Sequence, residues 1–443
     1  MPTDSRRLID LSVVVPVHNV AAWLPETLTS ILAQDVENME VIVVDDHSID
    51  DSAAIAERFA REDPRLRVVR ASLFGGGNAR NTGVDVATGR YLVFSDGDDI
   101  VPDGAYRALV ASLESSGSDV AFGDFLKFSP ADTWRPTASM AAYQRTARGI
   151  TLADEPTLIY ARPCWNKVFR REYWDRAELS FPNVPRSNDI LPMTAAYTRA
   201  AALDVVSDVV YLYRERPGGG SMTAKASSSP SMLSYLAQEI ACARLIADYA
   251  DDAVSDCYAR LVWDRDTFHH VANFALAGPD CENADTVADP QAARATADEL
   301  TEISESLTQL LQLAGASRGS LSLTKRLVLQ FAAADEWAAA QSAAALEMRR
   351  LLGRTSLSHW ACIVEALERI DGDTVLDERS RWLIIRELQA AKPDDPDDPD
   401  AGLTWLRLAD ATSRAGGQDL LRRIPEIGGA STVTRDVIGE RRR

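Results

Sequence analysis

The chain has 443 residues, 46% of them hydrophobic and 26% charged, which places it among globular proteins and outside the disordered and fibrous classes. A formal net charge of -19 excludes a partner recognised through a phosphate backbone, so no nucleic acid is expected. A small doubly charged ligand is a different case, because a metal ion can sit between acidic side chains and a diphosphate.

Length predicts two or three domains. The five cysteines, Cys164, Cys242, Cys257, Cys281 and Cys362, are odd in number and contain no C-x-x-C pair. They read as reduced thiols rather than as a disulfide framework or a zinc site. The opening MPTDSRRLID is polar and runs into an apolar stretch too short for a signal-peptide core or a membrane span. A cytoplasmic location is expected, with Arg441 to Arg443 leaving peripheral attachment to the inner face of a membrane open.

From Leu11 to about Gly123, short β-branched runs alternate with helical patterns, which predicts an α/β domain with a mostly parallel sheet. LSVVVPV is the first strand. Leu24, Leu28, Ile31 and Leu32 then recur at helical spacing with Pro25 and Glu26 in the first turn. EVIVVDD is the second strand, and Asp50 or Asp51 caps a helix carrying Ile55 and Phe59. LRVVR and RYLVFSD supply two more strands, and DVVSDVVYLYRER a further one after an irregular stretch. The glycines Gly218 to Gly220 and the Ser-rich run before Pro230 mark a loop and linker, placing the first boundary near Lys225.

Beyond it the pattern is helical: Leu233, Leu236, Ile240 and Ala243 share one face, and Leu300, Ile303, Leu307 and Leu310 another. The acidic, proline-rich run at 393–400 reads as an exposed linker. The expected organisation is therefore a catalytic domain over 1–225, a helical accessory domain over 226–345 and a C-terminal helical region over 346–443.

In an open parallel sheet, ligands bind outside the carboxyl ends of the strands. The first strand ends in Pro16, Val17, His18 and Asn19, the second in Asp45, Asp46 and His47, and the fourth in Ser95, Asp96, Gly97, Asp98 and Asp99. No glycine fingerprint follows the first strand and no phosphate loop occurs, which disfavours a dinucleotide fold and a P-loop. The Asp-Gly-Asp-Asp turn suggests a divalent cation instead, Mn2+ or Mg2+. Asp96 and Asp98 point the same way, and Gly97 lets the backbone bend beneath the ion.

Taken in order, SVVVPVHN, VVDDHS, GGNARNTG, FSDGDD, WNKVFRR and the pair Asn188 and Asp189 make the stretch from Leu11 to Lys225 resemble family 2 glycosyltransferases with the GT-A fold. The resemblance implies inverting transfer from a UDP-sugar to the hydroxyl of a glycan, polymer or lipid-linked acceptor. It implies that Asp46 accepts from the uracil imide, that His18 lies beside the base, that Arg80 closes the nucleotide pocket and that Asp96 with Asp98 hold ribose and metal. Trp165, with Asn166 and Lys167, would offer a face to a sugar. Two departures stand out: Asn188 occupies a place where Glu is common, and DDHS lacks the usual glycine.

Asp189 is expected to be the general base, although SNDILP also reads as a helix start at which an aspartate simply caps. Two other readings are weaker. A nucleotidyltransferase would need a Gly-rich, Arg-containing loop after the first strand, and a non-catalytic scaffold would have no need of Asp46, Asp96, Asp98 and Asp189 together. The helical half is expected to assemble the protein into a homo-oligomer or dock it on an acceptor-bearing partner.

Overall fold

A computed structural model describes residues 10–185, 187–216, 228–277, 295–315 and 322–351, with His359, Cys362, Ile363 and Ala366. The glycine run, Lys225, Cys281, the acidic linker and the terminal arginines lie outside the described residues.

The first half alternates as its sequence predicts: β1 (Leu11–Val17), α1 (Leu24–Leu32), β2 (Met39–Asp45), α2 (Ser52–Glu62), β3 (Leu66–Arg70), α3 (Gly76–Val86), β4 (Tyr91–Phe94) and α4 (Ala105–Ser116). Then come β5 (Val120–Phe128), β6 (Thr133–Trp134), β7 (Ala147–Ile150), β8 (Lys167–Arg170), α5 (Arg171–Arg176), α6 (Ile190–Arg199) and β9 (Leu203–Arg214). The strands form one nine-stranded sheet in the order β3-β2-β1-β4-β8-β5-β9-β7, with β6 paired to β5. Pairings among β1 to β4 are parallel, whereas β8 lies antiparallel between β4 and β5. The chain leaves β1 in one direction to reach β2 and β3 and returns on its other side as β4. That reversal opens a crevice at the carboxyl ends of β1 and β4.

Val13, Val15, Val41, Val43 and Val93 fill one face of the sheet, where Leu24, Leu28 and Ile31 of α1 pack. At the start of α2 the N-cap residue is Asp51, which makes no side-chain cap hydrogen bond, while the Asp50 carboxylate accepts from the Ser52 amide at 2.9 Å. Helix α3 lies closely on the sheet, because a Cβ on Gly83 would run into Val14.

The remaining described helices are α7 (Ser229–Tyr249), α8 (Asp252–Asp264), α9 (Asp266–Leu276), α10 (Ala297–Ala314), α11 (Leu323–Ala333) and α12 (Trp337–Leu351). By its contacts the chain divides into two units: Met1–Lys225 with Ser234–Tyr258, and Ala226–Leu233 with Ala259–Arg443. In the second unit Ile303, Leu307 and Leu310 of α10 are buried, and Thr296 and Glu299 form a reciprocal cap at its start. No helix among the described residues is long and apolar enough to cross a membrane.

Candidate active site

At the end of β1 the chain turns through Asn19 at φ 53, and at the end of β2 through His47 at φ 58. These left-handed turns are uncommon away from glycine, though Asn and His tolerate them better than most residues. Together they lock the two strand ends. Asn19 Oδ1 accepts from the Ile49 amide at 2.9 Å, and His18 Nδ1 lies 2.7 Å from the Asp46 carbonyl oxygen. Pro16 stays within β1, and its carbonyl lies beneath Gly97, where a Cβ would also press on Val17 and Val20. Gly97 is therefore required by space.

Asp46 is 4% exposed, and both its carboxylate oxygens accept from the Gly75 amide, at 2.9 and 3.0 Å. Phe74 beside it is 63% exposed and meets the His18 ring edge-on at 5.1 Å.

Arg80, on α3, ties distant parts of the site together. One guanidinium nitrogen donates to Asp96 Oδ1 at 2.6 Å and another to Asn188 Oδ1 at 2.9 Å. Burial works against its charge, yet Cys164, Asp96 and Asp189 together hold its pKa above the ordinary value, so it is a permanent cation. Asn188, the departure noted from the sequence, is thus the acceptor that anchors Arg80.

Asp98 accepts from Arg216 Nε at 2.9 Å, and that guanidinium lies over Trp23 at 5.2 Å. Two arginines, Arg80 on Asp96 and Arg216 on Asp98, offset the charge of the acidic turn. Burial, with the Asp96 charge added to it, still pushes Asp98 up to about 6 against the pull of Arg216. Among the described residues no group of three or more His, Cys, Asp and Glu side chains is arranged to hold a metal ion. The two carboxylates are nonetheless hard oxygen donors that disfavour one another's charge, which suits Mn2+ or Mg2+.

Asp189 occupies the N-cap position of α6, but its side chain makes no cap hydrogen bond. Simple capping therefore does not account for it. Burial raises its pKa above the usual carboxylate value, while Arg80 and Lys167 pull in the other direction.

The Trp-Asn-Lys segment is corrected by the structure. Trp165 is buried and stacks on Tyr211 with ring centroids 4.3 Å apart, while Phe125 meets it edge-on at 4.8 Å. Asn166 and Lys167 are 0% exposed. Asn166 Nδ2 donates to the Gly123 carbonyl at 2.6 Å, and Lys167 Nζ donates to Asn166 Oδ1 at 2.5 Å and to the Pro163 carbonyl. Strand β8, which starts at Lys167, runs inside the sheet, and all three side chains are buried rather than offered to a sugar.

Residues that the sequence reading missed include Tyr211, whose hydroxyl accepts from the Asp96 amide at 2.9 Å, and Arg214, whose amide donates to Asp99 Oδ1 at 2.7 Å. The alternation of YLYRER carried that signal, since it sets Tyr211 and Tyr213 on one face of β9.

Residues 12–176 match the family model described as Glycosyl transferase family 2. The chain is 32% identical over 213 residues to the uncharacterized glycosyltransferase EpsJ of Bacillus subtilis, covering 47% of this chain and 61% of that protein. It is 40% identical over 101 residues to the minor teichoic acid biosynthesis protein GgaB of the same organism, covering 22% of this chain and 11% of GgaB. Among solved structures, S. aureus TarS 1-349 in complex with UDP-GlcNAc has the same fold, with a TM-score of 0.61 and 21% identity over 77% of this chain and 92% of that one.

Proposed function

Because the chain carries a family 2 glycosyltransferase domain over residues 12–176, we propose that it transfers a sugar from a UDP-sugar to an acceptor hydroxyl of a cell-envelope glycan, with inversion. The observation that carries this reading is the bridge made by Arg80 between Asp96 and Asn188. It joins the acidic turn after β4 to the head of α6, two places where a nucleotide sugar and its acceptor would meet. The TarS complexes with UDP-GlcNAc and UDP support the donor class, and GgaB supports a teichoic-type polymer as acceptor.

In this reading His18 and Asp46 receive the base, Asp46 as acceptor for its imide N–H. Asp96, held by Arg80, receives the ribose, with Pro16, Asn19 and Gly97 shaping the floor. A divalent cation, when bound, would be held by Asp98 with Asp96 beside it and would neutralise the charge of the departing diphosphate. Asp189 removes the proton from the attacking hydroxyl. Its pKa, raised by burial, makes it a stronger base than an ordinary carboxylate. The helical unit is proposed to engage the acceptor or a second copy of the chain.

Hydrolysis of a panel of UDP-sugars in the presence of Mn2+ tests this reading. One donor should turn over, and Asp189→Asn should slow it about a hundredfold or more, with UDP binding and thermal unfolding near those of the parent. Turnover at the parent rate in that variant would locate the base elsewhere.

A further inference from the structure

Asp46 poses a problem for base recognition. Its carboxylate is the acceptor that the proposed function assigns to the base imide, yet it is 4% exposed and its two oxygens share the amide hydrogen of Gly75. Both oxygens are thus engaged by one backbone amide, a donor of the same kind as an imide N–H, in the central position that faces both of them. Gly75 adopts φ 126, a conformation closed to L side chains, and a Cβ there would strike Asn183, so the close approach depends on glycine.

The same loop carries Phe74 and Leu73, exposed by 63% and 59% although large and apolar. The Phe74 ring meets His18 at 5.1 Å and His47 at 6.3 Å, both edge-on. Three aromatic rings thus gather beside the buried carboxylate, with His47 Nδ1 3.5 Å from Asp46 Oδ1.

We propose that residues 71–75 form a gate over the nucleobase subsite: Gly75 N–H and the Phe74 ring hold Asp46 and His18 in the free protein, and a base bearing an imide N–H displaces them. The proposal rests on the reading of Asp46 as base acceptor. Opening exchanges one N–H donor on the carboxylate for another and turns the Gly75 N–H to water, so it costs little for uracil. Cytosine offers a lone pair at the equivalent ring nitrogen and sets it against the carboxylate, with only His47 Nδ1 left near it at 3.5 Å, which is a far larger loss. The gate therefore adds base selectivity to the subsite and lowers apparent affinity by the fraction of molecules that are closed.

Stopped-flow binding of UDP and CDP to the full chain tests the gate. Phe74→Ala removes an exposed ring and leaves the core intact. If the His18 contact must break before the base enters, the variant should associate with UDP severalfold faster than the parent while CDP stays weak. An unchanged association rate, with an effect on dissociation alone, would make Phe74 a fixed wall and overturn the gate. A second measurement needs no substitution: the Gly75 amide proton, held by a carboxylate, should change its NMR resonance on saturation with UDP. If it keeps that resonance, the hydrogen bond persists and the gate is again overturned. Failure of the parent to bind UDP at all is a separate result, which removes the nucleotide-sugar reading and the gate with it.

Discussion

Lys167 lies behind the candidate base with no solvent access, its ammonium over the rings of Phe122 at 5.2 Å and Tyr197 at 5.8 Å. Burial lowers its pKa to about 7, against the opposing pull of Cys164 and Asp189. Between that value and the ordinary 10.5 the unfolded chain holds more protons than the folded one, so stability rises with pH across this window. Lys167→Met should flatten a slope that approaches about 1.4 kcal/mol per pH unit. Urea unfolding at several pH values between these limits measures it, and an unchanged slope would assign the dependence to other groups. The residue also marks a limit of sequence reading. Asp46, Asp96 and Asp189 stand out in the sequence as polar residues at the end of an apolar strand or the start of a helix, and Arg80 through the segment GGNARNTG, whereas Trp-Asn-Lys leads into a strand whose neighbours on both sides are distant in sequence. Nothing local in WNKVF tells that β4 and β5 enclose it.

At the scale of elements, β1 to β4 announce themselves by short apolar runs rich in β-branched residues, and their parallel pairing follows from alternation with helices. The antiparallel insertion of β8 is a long-range pairing with no local signal. The closeness of α3 to the sheet was hidden for a similar reason, since a glycine within a helix reads only as a weak helix former. Gly83 is where Val14 of β1 and Val44 of β2 approach the helix. Gly83→Ala would gain about 1 kcal/mol of helix propensity but force apart a packed interface at a cost of roughly 1–3 kcal/mol. A net loss of stability is expected. Because Arg80 sits one turn away, its hydrogen bonds to Asp96 and Asn188 should lengthen and UDP binding weaken with it. A variant as stable as the parent, binding UDP equally well, would mean that α3 is less tightly seated than its glycine implies.

For the molecule as a whole, the linker signal near Lys225 suggests a single cut between catalytic and helical halves, but the contacts assign Ser234–Tyr258 to the first unit. The physical link is a buried ion pair. Glu239 on α7, 0% exposed, accepts from Arg162 at 2.5 and 3.0 Å, and the Tyr258 hydroxyl donates to its carboxylate at 2.9 Å. Three residues along the helix, the Cys242 thiol reaches the carbonyl of Ile190, the residue after Asp189, at 3.8 Å. Arg162 in turn precedes the segment that backs the site. Such a pair is not read from sequence, because Glu239 on a helix and Arg162 in a loop each look like ordinary surface charges. A chain ending at 225 would leave Arg162 without its carboxylate, a defect that costs about 3–5 kcal/mol out of a total stability of roughly 5–15 kcal/mol. It would also remove the buried apolar side chains of Leu236, Ile240 and Ala243. The fragment 1–225 is therefore expected to lose cooperative unfolding and UDP binding, whereas a fragment ending at the close of α8, 1–264, should keep both. Thermal unfolding followed by circular dichroism, with UDP calorimetry on the same samples, decides it. If 1–225 melts in one sharp transition and binds UDP as the full chain does, then α7 is an appendage and the ion pair serves only to attach it.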